Sequence, residues 1–298
     1  MKVRSTPFEE KGVETLPRKV QVRGVGVSAT SYEEVLAYTR RWVSEKRAAR
    51  REGNVTVERA RYVCVTCVHS FLAALRDPEA GQALREADIV TPDGMPVVWA
   101  LRSLGVPRQQ RVYGPTLMLR LCAQAEKLGH RVFLYGGQPQ TLEELVKRLR
   151  LKFPNLQIVG WFSPPFRPLT RREDAEITEY IRATDTDLLF VGLSSPKQDI
   201  WMWQHRSVLP GIVMFGVGAA FDFHSGRVPQ APVWMQNAGL EWLFRLIMEP
   251  RRLWRRYLLL TPRFLPLLAS EIWRAKVSSR WSGPVKGGDA GCRGDRGE

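Results

Sequence analysis

The feature that most constrains the fold is the alternation of two kinds of segment from Arg61 onward. Short apolar runs are separated by longer segments of helical periodicity, and the runs read RYVCVTC, ADIV, HRVFLYGG, LQIVGWF, DLLFVGL and GIVMFGVG. Strands that are almost continuously apolar are buried on both faces, and their alternation with helices indicates parallel β-α-β units. The sequence therefore predicts an α/β fold with a Rossmann-like, doubly wound and mostly parallel sheet.

The two ends of the chain depart from this pattern. We expect a flexible N-terminal arm over 1–18, an α/β core over 19–240, a basic amphipathic helical appendage over 241–281 and a disordered tail over 282–298. The appendage carries eight Arg and one Lys against three Glu, and the tail is rich in glycine. At the start of the core, VQVRGVGVSATS predicts a short strand or hairpin, and Ser31 is placed to cap the helix that follows.

Charge and composition narrow the class of protein. The formal net charge of +15 over 298 residues indicates a polyanionic partner, which could be nucleic acid, an anionic membrane or a phosphate-bearing substrate. Residues 1–18 contain no apolar segment typical of a secretion signal, and YLLLTPRFLPLL is too short and too interrupted to span a bilayer. Cys64 and Cys67 have no further ligands at metal-binding spacing, so we expect buried thiols in a reducing cytoplasm.

Several loops follow the expected strands, and ligands of such folds bind beyond the carboxyl ends of the strands. Gly136 and Gly137 in YGGQP allow backbone N–H groups to approach a phosphate, although a tight strand-to-helix turn explains them equally well. Lys197 and Gln198 in GLSSPKQD suit a nucleotide or diphosphate, although Pro196 is also an ordinary first-turn residue. GVGAAF lacks both the third glycine and the ribose-binding acid of a dinucleotide site.

Charged and titratable residues fall on the same expected edge. Asp93 stands in TPDGMPVVWALR between a strand and a helix, where a carboxylate caps a helix, binds a ligand or accepts a proton. Arg111 in RVYGP is either an ordinary surface charge or a phosphate ligand. His69 is a candidate acid, base or hydrogen-bond donor, whereas a structural role is favoured for His224.

The appendage allows three interpretations: core packing with a solvated face, a nucleic-acid surface, or helices at a membrane interface. Arg245, Arg252 and Arg255 have helical spacing and would share one face, unless Pro250 breaks the helix. Interleaved Trp, Leu and Arg favour a cationic amphipathic membrane anchor. No helix-turn-helix, RRM or zinc-finger pattern is present, which disfavours nucleic acid.

Five sequence blocks occur in this order along the chain: ADIVTPDGMPVVWA, RVYGPTLM, VFLYGGQP, DLLFVGLSSPKQDIW and the long run from GVGAAF to WRRYL. Over about Val20 to Leu260 the chain resembles the WecG/TagA/CpsF glycosyltransferases, glycosyltransferase family 26. The resemblance implies an inverting transfer, without metal or other cofactor, of an N-acetylmannosamine-type sugar from a UDP donor. The implied acceptor is a polyprenyl-diphosphate-linked sugar at the cytoplasmic face of the cell membrane. The implied pathways are teichoic acid, common antigen or exopolysaccharide synthesis.

The resemblance also implies roles for individual residues. Asp93 would be the general base, and the substrate-binding positions would be Thr66, Arg111, Gln198, Arg245, Arg252 and Arg255, the three last contacting the donor diphosphate. One departure stands out: many relatives carry Asn two residues after the Thr, where this chain has Val68 followed by His69.

Two rival functions remain open at this stage. One is another nucleotide-dependent Rossmann-like enzyme, such as a dehydrogenase, which differential binding of UDP and NAD would reveal. The other is a basic scaffold that binds a membrane or nucleic acid. An exposed apolar appendage also allows a homo-oligomer, because it could pack on a neighbouring subunit.

Overall fold

The computed structural model describes residues 15–53, 58–255, 258 and 261–281, and a parallel sheet is its central feature. Most of the expected N-terminal arm (residues 1–14) and the whole expected tail (282–298) lie outside the described residues. The strands are β1 (Lys19–Val22), β2 (Val25–Ser28), β3 (Arg61–Thr66), β4 (Ile89–Pro92), β5 (Arg131–Gly136), β6 (Gln157–Phe162), β7 (Leu188–Gly192) and β8 (Val213–Gly216).

Helices connect and flank these strands. They are α1 (Tyr32–Arg51), α2 (Val68–Ala74), α3 (Pro78–Glu86), α4 (Met95–Ser103), α5 (Gly114–Leu128), α6 (Pro139–Lys152), α7 (Arg171–Ala183), α8 (Lys197–His205), α9 (Ala220–His224), α10 (Val233–Asn237), α11 (Glu241–Met248), α12 (Pro250–Trp254) and α13 (Phe264–Trp281). A 3-10 turn at Thr261–Arg263 precedes α13.

The main sheet has the strand order β4-β3-β8-β7-β5-β6, and every neighbouring pair is parallel. Alternate strand residues face two separate apolar cores, one beneath α2, α3, α4, α7, α8 and α13 and the other beneath α1, α5, α6 and α9. The Rossmann-like expectation is thus confirmed, and β1 with β2 forms the expected hairpin as a separate antiparallel pair. The apolar runs became strands because a two-sided core buries them, except that β6 at the edge of the sheet stays partly exposed.

Helix α1 shows how local sequence sets the start of an element. Its N-cap is Ser31, whose hydroxyl accepts from the Glu34 N–H, while the Glu34 carboxylate accepts from the Ser31 N–H at 2.8 Å. This reciprocal capping box satisfies two backbone donors that a helix start otherwise leaves open. The predicted cap is confirmed.

The C-terminal helices fold back onto the α/β core. Helix α11 ends at Met248 and α12 starts at Pro250, so the break expected at this proline is confirmed. Phe264 of α13 is buried, and its ring meets that of Phe71 of α2 edge-on at 5.3 Å. Among the described residues, no helix combines the length with the apolar character that crossing a bilayer demands.

Candidate active site

The neighbouring strands β3 and β4 place two loops side by side at the carboxyl edge of the sheet. Thr66 and Pro92 are paired in register, and the Asp93 N–H donates to the Thr66 carbonyl at 3.0 Å. The N-cap of α4 is Gly94, one residue later. The Asp93 carboxylate instead accepts from Arg111, so the interpretation of Asp93 as a helix cap is wrong.

Arg111 holds Asp93 from two sides. Its Nε donates to the Asp93 backbone carbonyl, and its Nη2 lies 3.2 Å from Asp93 Oδ1. The guanidinium also stacks on the Tyr113 ring, with its central carbon 4.1 Å from the ring centroid. A guanidinium fixed in this way orients the carboxylate and supplies a local positive charge.

Glu241, the first residue of α11, completes this network. Its Oε2 accepts from Arg111 Nη2 at 2.7 Å, and its Oε1 accepts from the Tyr113 hydroxyl at 2.8 Å. Glu241 and its bond to Tyr113 are buried, whereas its bond to Arg111 is partly buried at the cleft. Sequence reasoning assigned no role to Glu241 or Tyr113, although an acidic residue opening a strongly basic segment was a signal that could have found Glu241.

The electrostatics of this network favour a proton acceptor. Burial raises the pKa of Asp93; Arg111 opposes the shift, and the charge of Glu241 reinforces it. A carboxylate whose pKa is raised toward the operating pH is a better general base than an ordinary one. Burial, helped by the Glu241 and Asp93 charges, also raises the pKa of Tyr113, so its hydroxyl stays protonated and donates.

These residues border a cleft between the sheet edge and the C-terminal helices. Its free volume is about 110 Å³, and its lining is formed by Cys67, Val68, His69, Asp93, Gly94, Met95, Pro96, Arg111, Gly239, Glu241, Trp242 and Arg245. The structure thus brings four sequence candidates together: Asp93, Arg111, His69 and Arg245.

Cys64 is buried as expected, but the expectation is wrong for Cys67, which is partly exposed because it opens α2 at the cleft.

Thr66 lies directly behind the cleft at the end of β3. Its side chain is buried, and within the described part of the chain its hydroxyl oxygen has no hydrogen-bond partner. Buried polar atoms are normally bonded, and an unpaired one beside a cleft suits a ligand. The role of Thr66 as a substrate-binding residue stays a prediction.

Gln198 and Lys197 lie farther along the same edge. They open α8 after β7, and the Gln198 side-chain amide reaches over the end of β8, the second strand from β4, where its Nε2 would lie 2.9 Å from a Cβ at Gly216. Gln198 is buried, and no partner for its Oε1 is found among the described residues. The Lys197 ammonium lies 5.7 Å from the Phe166 ring centroid. An extended ligand would have to span these strands to contact both ends of the edge.

Gly136 and Gly137 lie still farther away, on the fourth strand from β4, at roughly 19 Å. Gly136 has φ of 111°, and a Cβ there would lie 2.7 Å from the Gly192 carbonyl group. Close packing of β5 against β7 is thus a sufficient reason for the first glycine. Phosphate binding by this turn stays a prediction.

The three appendage arginines do not share one helical face. Arg245 belongs to α11 and borders the cleft, with its guanidinium 5.4 Å from the Phe223 ring centroid. Arg252 belongs to α12, and its side chain is outside the described positions. Arg255 follows α12, is exposed and stacks on Trp254. The break before Pro250 separates Arg245 from the other two.

His224 has a structural role. Its Nε2–H donates to the Pro115 carbonyl at 2.8 Å, and burial lowers its pKa. The neutral ring therefore ties α9 to the start of α5, as the sequence interpretation favoured.

Comparisons with known proteins agree with this architecture. The profile of the glycosyl transferase WecG/TagA/CpsF family matches residues 20–278. A Bacillus spizizenii (strain W23) protein is 32% identical over 213 residues, which cover 72% of this chain and 80% of that protein. A Bacillus subtilis (strain 168) protein is 31% identical over 199 residues, covering 67% and 75%. Both are named N-acetylglucosaminyldiphosphoundecaprenol N-acetyl-beta-D-mannosaminyltransferase.

Proposed function

The chain belongs to the WecG/TagA/CpsF family of glycosyltransferases, and from this premise we propose its substrates: an N-acetylmannosamine-type UDP-sugar as donor and polyprenyl-diphosphate-linked N-acetylglucosamine as acceptor. The relatives' names supply the acceptor and the transferred sugar. The observation that carries the proposal is the Asp93 carboxylate, held by Arg111 at the cleft with a raised pKa.

The chemical step is a single displacement with inversion. The acceptor hydroxyl attacks the anomeric carbon of the donor sugar, and the hydroxyl proton passes to the Asp93 carboxylate. The bond between the anomeric carbon and the diphosphate oxygen breaks, and UDP leaves with the electron pair. Such positioned proton transfer contributes roughly 10²–10⁴-fold to the rate.

Arginines compensate the charge that develops on the departing diphosphate. Arg245 already borders the cleft, and no hydrogen-bond partner for its Nε is found within the described part of the chain. Arg252 lies on the next helix, and Arg255 directly follows that helix. Fixed cations of this kind stabilise a leaving group without reorganising during the reaction. We propose a transfer that needs no metal ion on this basis.

The appendage over 241–281 acts as a movable wall of the site in this proposal. The free volume of about 110 Å³ is smaller than the 300–1,000 Å³ typical of ligand sites, so donor binding requires α11 to move outward.

The appendage also exposes large apolar side chains, among them Ile247, Trp254 and Trp273. Together with its arginines these suit an anionic membrane surface, and we propose peripheral association with the inner face of the cell membrane.

The decisive experiment measures UDP release and product formation. Purified full-length protein is given several UDP-sugars with a short-chain prenyl-diphosphate-GlcNAc acceptor, and UDP-N-acetylmannosamine should give the fastest acceptor-dependent release. The rival dehydrogenase-like function is tested by titrating NAD. Saturable NAD binding, or salt-dependent DNA binding, without any acceptor-dependent UDP release would overturn the proposal.

A further inference from the structure

A second opening, an arginine-lined groove, lies on the side of the molecule where α13 crosses α2. Its volume is about 630 Å³. Four arginines from four separate segments border it: Arg23 from the β1–β2 turn, Arg76 after α2, Arg263 from the 3-10 turn and Arg274 from α13. Residues this far apart in sequence meet here only because α13 folds back onto the core.

The charge of the groove is strongly positive. Its lining includes one carboxylate, Glu271, which lies 3.8 Å from the Arg23 guanidinium and 3.1 Å from that of Arg274. For Arg76 and Arg263, the described residues provide no carboxylate within ion-pair distance. Four guanidinium groups against one carboxylate leave the groove ready for an anion, and guanidinium groups match the geometry of phosphate oxygens.

An apolar surface accompanies the arginines. Leu72 of α2, Leu75 directly after it and Leu267 of α13 line the same groove, and Leu75 is exposed. Trp273, beside Arg274 in sequence, exposes 68% of its surface. Cations beside exposed apolar side chains suit an amphiphile, with a phosphate head on a hydrocarbon chain.

Helix α2 connects the arginine-lined groove to the cleft. Its first residues, Val68 and His69, line the cleft, whereas Leu72 and Leu75 line the groove. From Val68 to Leu75 the helical rise amounts to about 10 Å. This separation is comparable to the span of one hexose with its diphosphate.

We propose that the arginine-lined groove binds the diphosphate of the polyprenyl-linked acceptor, with the first isoprenoid units against the leucines. The assignment rests on the proposed function. It places the acceptor sugar along α2 with its hydroxyl toward Asp93, while the donor diphosphate stays on the Arg245 side of the cleft. The two diphosphates then occupy separate cationic sites on the two sides of the reacting centre.

The test is the double variant Arg76→Gln/Arg263→Gln in the full-length protein. The matched control is Lys147→Gln/Arg150→Gln, which removes two charges from the exposed side of α6 on the opposite face of the sheet. Acceptor KM is measured in detergent without phospholipid, together with donor KM and kcat. Binding of farnesyl diphosphate alone is measured by calorimetry, because this readout needs neither donor nor turnover.

We expect acceptor KM to rise by about tenfold or more in the groove variant, since even one charge-assisted hydrogen bond is worth roughly that factor. Donor KM, kcat and the control variant should stay near wild type, and farnesyl diphosphate binding should weaken in parallel. If wild-type protein shows no transfer but binds farnesyl diphosphate through these arginines, the proposed function fails and the groove's prenyl-diphosphate specificity stands. Unchanged acceptor KM and unchanged farnesyl diphosphate binding in the groove variant would overturn the assignment. The assignment would also be overturned if the groove variant lost only its binding to phosphatidylglycerol vesicles.

Discussion

Glu241 Oε2 lies 2.7 Å from Arg111 Nη2, so the first residue of the appendage contacts the cation that holds the proposed base. The same nitrogen lies 3.2 Å from Asp93 Oδ1. One guanidinium therefore serves a carboxylate from the α/β core and a carboxylate from α11. Movement of α11 alters the charge around Asp93, which links the position of the appendage to the chemistry.

Replacement of Asp93 by Asn tests the proton acceptor. Asn cannot accept the hydroxyl proton, so kcat should fall by roughly 10²–10⁴-fold while UDP affinity is retained. Single-turnover transfer and UDP titration measure the two quantities. Asp77→Asn is the matched control, because Asp77 caps α3 outside the cleft and Asn caps equally well. Wild-type turnover in Asp93→Asn would remove Asp93 from the base role.

The pH dependence of kcat/KM should reveal the environment of Asp93. A general base works when ionised, so activity should be lost as pH falls through the raised pKa of Asp93, above the range of an ordinary carboxyl group. Glu241→Gln removes a nearby negative charge that helps to raise this pKa. The acidic limb should therefore move to lower pH.

Glu33→Gln on α1 serves as the control for that shift, because Glu33 is exposed and pairs with Arg120 away from the cleft. Its acidic limb should match wild type. An unmoved limb in Glu241→Gln would show that the titrating group is not Asp93.

The two glycines after β5 should differ sharply in their tolerance of alanine. Gly136→Ala places a Cβ 2.7 Å from the Gly192 backbone at φ of 111°, whereas Gly137→Ala meets its nearest atom, on Phe221, at 3.5 Å with φ of 75°. Gly137→Ala should cost about 1–3 kcal/mol of unfolding free energy through backbone strain, and Gly136→Ala clearly more. Denaturant unfolding compares them, and equal losses would contradict the packing explanation for Gly136.

Asp199 makes stability depend on pH. It is buried in α8, its carboxylate accepts from the Ser195 hydroxyl at 2.5 Å, and burial raises its pKa to about 6. The folded state then binds more protons than the unfolded state between the two pKa values, so unfolding free energy falls as pH rises from about 4 to about 6. The loss amounts to about 3 kcal/mol.

Asp199→Asn keeps the shape of the side chain without the charge. It should be more stable than wild type at pH 7.5 and similar at pH 4, as measured by denaturant unfolding. A variant that loses stability equally at both pH values would show that Asp199 is ionised at no cost in the native protein.

Truncation after Leu240 tests the proposed boundary between core and appendage. The shortened chain should lose transfer and binding to anionic vesicles, because it lacks Glu241, Arg245 and the exposed Trp side chains. It should also melt at lower temperature, since Phe264 no longer covers Phe71. Circular dichroism checks that the α/β core persists. Normal turnover by the truncated protein would exclude the appendage from the site.

The sequence predicted the structure correctly wherever residues close to one another in the chain determine it. Apolar runs became strands because both faces of the sheet are covered, and Ser31 and Pro250 begin helices by capping and ring geometry. Asp93 and Arg111 could be placed on one edge of the sheet, because Asp93 directly follows β4 and Arg111 follows α4, the next element of the chain. Local pattern does not encode strand order, however. The position of the Gln198 amide at the end of β8 and the insertion of Glu241 arise from long-range packing, which sequence spacing does not predict.

The Arg111–Glu241 contact joins positions 130 residues apart, so the cleft gains this wall only when distant parts of the chain meet. Contacts between residues so far apart in sequence form late in folding, because a long loop must close before they are made. A partly folded chain would thus hold the Asp93 carboxylate without Glu241, whose charge helps to raise its pKa.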